Sequence, residues 1–225
     1  MAFFSSIILV ALLLLTPINT IARTQLFSVH AVQIVILSTF CAPLLLAACS
    51  TDLLRSLLKQ PLLQGLTHPL VASLLFNIAF VLWHIPPSYN AAMADATLYH
   101  VQVFSLFLLS LPQWWPLVGA ARTARAMSYP LRMLYAFLDG QPVGIFAMVM
   151  VFVVGPIYSH YALPPQLGIT PTIDQIIAGG IFLVSGLVDI VVMSVLFVRW
   201  LVQIERHTRL EDAQRQEEQE ELLCD

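Results

Sequence analysis

The sequence predicts an all-α, polytopic membrane helix bundle of about six transmembrane helices, with both termini cytoplasmic. Three observations predict it. First, 59% of the 225 residues are apolar and only 10% are charged, whereas soluble domains carry about 25% charged residues. A water-soluble core of this size cannot hide so much apolar surface, so lipid must solvate most of it. Second, six stretches have the roughly 20 apolar residues that cross a bilayer as a helix: about 3–22, 28–49, 69–86, 99–120, 141–160 and 176–201. Third, nine of the ten Lys and Arg residues fall on one side if loops two and four and the C-terminus are cytoplasmic, as the positive-inside rule requires.

The first stretch is read as a retained helix, a signal anchor. A cleaved signal peptide is the alternative, because Thr20-Ile21-Ala22 resembles a cleavage site. Arg23 is the one basic residue in the loop that follows. The second stretch opens with His30 and contains Cys41 and Cys49. Eight residues of helix hold these cysteines about 12 Å apart, too far for a disulfide. Arg55 and Lys59 mark the next loop as cytoplasmic. The third stretch ends at Trp83-His84-Ile85-Pro86-Pro87, where proline lacks the donor that would continue the helix. Pro87 to Leu98 reads as an outer loop, with His100 opening the fourth stretch. Trp114-Trp115-Pro116 closes it as an aromatic anchor at the inner interface.

Arg122, Arg125 and Arg132 mark a cytoplasmic fourth loop. The fifth stretch ends in Tyr158, His160 and Tyr161, and Asp174 opens the sixth. Gly179, Gly180 and Gly186 predict close helix packing within it. Asp189 lies near its middle and reads as a neutral acid bonded to a neighbouring helix, with Asn77 a candidate partner; a proton or ion relay is the sharper alternative. Residues 1–204 thus form the bundle. Residues 205–225, with eight acids and three arginines, form an acidic cytoplasmic tail, either a solvated helix or a disordered end. Cys224 in that tail would stay reduced there.

This topology gathers four of the six histidines, His30, His84, His100 and His160, at the outer face from four helices. A single interfacial histidine needs no function, since an apolar ring with a polar edge suits that depth. Four together predict a shared site, and imidazole suits copper, zinc, iron or nickel. Met93 could add a thioether, although a lone Met is more often filler. No serine–lysine pair, aspartate pair or HExxH run suggests catalysis, so no enzyme is expected. No basic surface suits nucleic acid.

Several blocks resemble the CtaG family of multi-pass cytochrome c oxidase assembly factors. They are Phe27-Ser28-Val29-His30-Ala31-Val32-Gln33, then Ala42-Pro43-Leu44-Leu45, and then Leu82-Trp83-His84-Ile85-Pro86-Pro87-Ser88-Tyr89-Asn90. His100, Trp114-Trp115-Pro116, Pro156-Ile157-Tyr158-Ser159-His160-Tyr161 and Asp174-Gln175-Ile176 follow in the family's order, over about residues 27 to 200. The resemblance implies a bacterial plasma-membrane protein that helps mature a haem-copper oxidase, by supporting copper insertion at its outer side. It implies His30, His84 and His100 as metal ligands, with Gln33, Trp83, Tyr158, Tyr161, Asp174 and Gln175 around them. Oxidase subunits and membrane lipid are the implied partners. Ile34 and Phe104 stand where the family often has further histidines, one turn after His30 and His100. A metal-free scaffold for oxidase subunits and a haem- or quinone-linked electron-transfer subunit are the alternatives, with a solute transporter a poorer fourth.

Overall fold

A computed structural model describes residues 17–119 and 127–224 of the chain. Most of the first predicted segment, together with Arg122 and Arg125, lies outside the described residues. Every regular element described is helical. In chain order they are α1 (Pro17–Thr24), α2 (Phe27–Ala48), α3 (Thr51–Leu57), α4 (Pro61–Leu66), α5 (Pro69–His84), α6 (Pro86–Ala94), α7 (Ala96–Gly119), α8 (Tyr129–Asp139), α9 (Gln141–Phe152) and α10 (Pro171–Cys224). Four spans among them are long and apolar enough to cross a membrane: α2, α7, α8 with α9, and α10. The pair α5–α6, bent by 74°, makes a fifth if it counts as one broken span.

Two boundaries differ from expectation. Pro87 to Leu98 is not a loop, because α6 starts immediately at Pro86. A proline in the first turn forfeits a backbone donor that has no intrahelical partner there anyway, so Pro86-Pro87 ends one helix and begins the next. The fifth span runs over 129–152 rather than 141–160. Pro130 and Pro142 both sit at helix starts, where they do no harm, so α8 and α9 continue one another. The chain leaves α9 at Val153 in extended backbone, and Gly155 turns it at φ +86° beside Pro156. Arg132 therefore belongs to the span, buried, with its guanidinium donating to the Leu117 carbonyl and lying 5.8 Å from the Tyr129 ring centre.

The sidedness of each helix follows a turn-by-turn repeat. On α5, Ala72, Phe76, Phe80 and His84 recur every four residues and are buried, while Leu70, Leu74, Ile78 and Leu82 face outward as a lipid-facing surface. On α7 the inward stripe is Tyr99, Gln102, Val103, Leu106, Ser110 and Trp114. Within α2 the helix widens over Ile36–Cys41, so that the Ala42 N–H reaches back to the Leu37 carbonyl. The next donor in that pattern would be Pro43, which has none, and the Ser38 carbonyl is left over. The Trp114 indole fills the gap, donating to it at 2.8 Å. Trp114 and Trp115 are thus core residues, 8% and 6% exposed, instead of interfacial anchors. Proline-linked carbonyls deep in a bundle need such a partner, because hydrocarbon offers none.

α9 and α10 meet at Gly179. A Cβ there would lie 2.8 Å from Val151 Cγ2 and 2.9 Å from the Ala147 carbonyl oxygen. Gly180 and Gly186, expected to act likewise, face open space. Gly179→Ala should therefore cost about 1–3 kcal/mol through overpacking, seen as a lower unfolding temperature in detergent, with Gly186→Ala near neutral. Asn77 does not meet Asp189. Its amide donates to Asp139, at 3.1 Å to Oδ1 and 3.2 Å to the backbone oxygen, and Gln113 donates to Asp139 Oδ2 at 2.8 Å. The Asp189 carboxylate instead lies against Gly140. Beyond the bundle α10 continues as a helix through the acidic tail, laced by Glu205–Arg209 and Glu211–Arg215 pairs one turn apart.

Candidate functional site: a buried imidazole pair

His30 lies one turn into α2, and His84 is the last residue of α5. Their ring centres are 5.8 Å apart, and the two residues are 0% and 3% exposed. Phe80, Phe146 and Phe182 surround His84, with ring centres 4.2, 4.9 and 5.7 Å away. Tyr89 stands over both imidazoles, at 5.4 Å from His30 and 5.8 Å from His84. The two imidazoles thus sit buried in an aromatic-walled cage.

Hydrogen-bond balance sets the tautomer of each ring. His84 Nδ1 lies 2.7 Å from the Phe80 carbonyl, which can only accept, so Nδ1 carries the proton. His30 Nδ1 lies 3.4 Å from the Tyr99 hydroxyl. That hydroxyl spends its one proton on Gln33 Oε1 and must accept from His30. Both rings are therefore Nδ1–H, and both Nε2 atoms present lone pairs. Each Nε2 is buried without a hydrogen-bond partner. Two bare acceptors in an apolar cage are costly, and an in-plane nitrogen lone pair whose opposite N–H is fixed by a backbone or side-chain acceptor is the form in which histidine binds a metal.

The surrounding residues hold this arrangement. Asp174 reaches across from α10 and caps α2, accepting from the Phe27 N–H at 2.7 Å, the Ser28 N–H at 3.2 Å and the Ser28 hydroxyl at 2.5 Å. Leu26, the residue preceding α2, supplies no side-chain cap of its own, and a carboxylate suits a helix start. Gln175 ties down the chain leaving α9: its Oε1 accepts from the Ile157 N–H at 2.7 Å, and its Nε2 donates to the Met150 and Gly155 carbonyls. Tyr158, held in that segment, donates to the His84 carbonyl at 2.5 Å and stacks on Tyr89 at 3.9 Å. Tyr161 shares a hydrogen bond with Tyr89 and donates to Met93 Sδ at 3.7 Å. Burial pushes the Tyr158 phenol well above its usual range, so it stays a donor. Met93 is core filler beside Tyr161. Trp83 supports the α5–α7 contact, its indole donating to the Ser105 hydroxyl at 3.0 Å.

His100 does not join the pair. It is exposed, and its Nε2 accepts from Asn19 Nδ2 at 3.0 Å. One residue is about 100° of helix rotation, and that turns Tyr99, not His100, toward His30. His100 is nonetheless connected. Asn19 Oδ1 accepts from Gln33 Nε2 at 3.1 Å, so an oriented chain runs from His30 through Tyr99, Gln33 and Asn19 to His100. His160, half-buried beside Arg23, has its imidazole held below the usual range by burial and by that guanidinium. Among the described residues, no group of three or more His, Cys, Asp or Glu side chains is placed to hold a metal ion. Sequence reasoning missed Tyr89 and Tyr99. Tyr89 stands in the Trp83–Asn90 block itself, and Tyr99 lies in step with Gln102, Val103 and Leu106.

The sequence profile described as cytochrome c oxidase caa3 assembly factor (CtaG) matches residues 1–203. The chain belongs to this family. Comparison with curated proteins gave no match, and neither did comparison with solved structures. The imidazole pair, the Asp174 cap and the Gln175 brace of this CtaG-family chain all lie inside the matched region. Tyr99→Phe tests the tautomer argument. It removes the acceptor for His30 Nδ1–H while keeping the ring, and should shift the imidazole 15N signals of His30 with those of His84 unchanged.

Proposed function

We propose that this CtaG-family protein supports copper delivery to a haem-copper oxidase, holding the ion between His30 Nε2 and His84 Nε2. The observation that carries the reading is the pair of buried, unpartnered Nε2 lone pairs on two neighbouring, tautomer-locked imidazoles. Copper is cargo here, so a site with few ligands suits release better than a saturated one. A monovalent ion fits best: burying a charge in an apolar cage is expensive, and the cost rises steeply with charge. Imidazole is a competent copper ligand. Tyr99 and the Phe80 carbonyl would hold the rings, and Asp174 and Tyr158 would hold the backbone that carries them. His100 stands outside the ligand set on this reading, linked to His30 through the amide chain. The protein acts on oxidase subunits as an assembly factor, without catalysing a reaction, from a bacterial plasma membrane with the imidazole pair toward the outer face.

The test is His84→Ala in the native host, reading oxidase activity with and without added copper, beside copper content of the purified protein. Activity should fall by at least about tenfold, as for loss of a metal-site residue, and added copper should restore it. Unchanged oxidase activity and unchanged copper content would overturn the reading. Oxidase activity lost on deletion of the whole protein but retained in His84→Ala would identify a metal-free scaffold. A Soret band in the purified protein would identify a haem-binding subunit.

A further inference from the structure

A two-chambered site lies at the other end of the bundle, away from the imidazole pair. The end of α2, the short helices α3 and α4, and the later part of α7 enclose an apolar chamber of about 440 Å³. Leu46, Cys49, Leu54, Leu63, Leu109 and Trp115 are among its walls. That volume falls within the roughly 300–1,000 Å³ of ordinary ligand pockets. A second chamber of about 180 Å³ adjoins it, sharing Leu58, Thr67 and Trp115 and adding the polar side chains of Gln64 and His68. Apolar walls forfeit dispersion contacts when nothing fills them, and a bilayer supplies acyl chains at every such opening.

We infer that these joined chambers bind one anionic phospholipid, its acyl chain in the leucine chamber and its headgroup beside Gln64, Thr67 and His68. The charge around the site selects the headgroup. Arg55 and Lys59 are exposed on and just after α3, next in sequence to the chamber residues Leu54 and Leu58. One acid, Asp52, lies in the first turn of α3, and it faces outward. Basic side chains at a membrane surface attract anionic lipid. The form of α3 fits the same role: Leu54 is buried and Leu57 lines the chamber, while Leu53 remains exposed to dip into the headgroup boundary. A neutral amphiphile such as a quinone would use the apolar chamber but gain nothing from the two cations. This inference is independent of the copper reading.

The experiment uses the full chain purified in mild detergent and then placed in nanodiscs. Retained lipid is identified by native mass spectrometry, and phosphatidylglycerol is competed against phosphatidylcholine of the same acyl chains. The wild type should keep one phosphatidylglycerol through a delipidating wash. Leu109→Trp, which fills the chamber, should lose it. Arg55→Gln with Lys59→Gln should weaken the preference for phosphatidylglycerol by about tenfold or more. Because Leu109→Trp can disturb folding, it counts only if helical content and monodispersity match the wild type; the surface double variant decides otherwise. Equal retention in wild type and a folded Leu109→Trp overturns the inference. So does equal binding of the two lipids by the wild type, or co-purification of a neutral amphiphile alone.

Discussion

Asp174→Ala should be among the most damaging single substitutions in the bundle, and it touches neither imidazole. Its carboxylate satisfies two backbone N–H groups and one hydroxyl at the start of α2, and it is 1% exposed. Removing it orphans buried donors that cost about 1–3 kcal/mol each. Allowing the Ser28 hydroxyl to find another acceptor, the loss should come to about 3–5 kcal/mol. His30 sits two residues beyond Ser28, so the first turn of α2 and the imidazole move together. The expected result is a large fall in folded yield in membranes and, in whatever protein survives, loss of the His30 environment seen by 15N imidazole spectra. Asp174→Glu keeps the charge but lengthens the side chain, and should recover part of the yield. Wild-type yield and wild-type His30 spectra in Asp174→Ala would show that the cap does not organise the site.

Trp114→Ala should come next, at about 3–5 kcal/mol for a large buried side chain with the Ser38 carbonyl left bare. Trp114→Phe separates the two contributions. It keeps most of the ring packing and removes only the indole donor to Ser38, so about 1–3 kcal/mol of the loss should remain. Both can be read as the detergent-denaturation midpoint of the purified protein. If Trp114→Phe matches the wild type, another donor satisfies the Ser38 carbonyl and the argument from Pro43 fails. On the proposed copper reading, neither Trp114 variant should alter the copper bound by protein that folds, since the indole lies on the inward stripe at the opposite end of α7 from Tyr99.

The apolar stretches were readable because crossing a bilayer imposes a length and a composition that hold residue by residue. The second and fourth stretches coincide with α2 and α7 to within a few residues at each end, and the sixth lies inside α10, which starts earlier and runs on through the acidic tail. Charge marked Arg132 as a loop residue, and that misplaced the fifth span. The bundle hides this cation behind the Leu117 carbonyl and the Tyr129 ring, which no local count of Lys and Arg can register. The pairing of His30 with His84 was also anticipated, because each sits at the same end of its own span. The place of His100 was not. Helix rotation carries a neighbour to another face within one residue, and the short run at the start of α7 did not reveal which of Tyr99 and His100 turns inward.

The chain's own residues therefore determined that this is an α-helical membrane protein, roughly where its helices run, and which end collects its imidazoles. Those properties follow from local free energies of transfer and from helix periodicity. Tertiary structure alone decided the rest. It chose which nitrogen of each imidazole is protonated, set Asp174 to start a helix 147 residues away from it in sequence, and placed Trp114 beneath a carbonyl that Pro43 leaves unpaired. Each of these depends on a partner distant in the chain, and hydrogen bonds between distant segments exist only once the helices have packed.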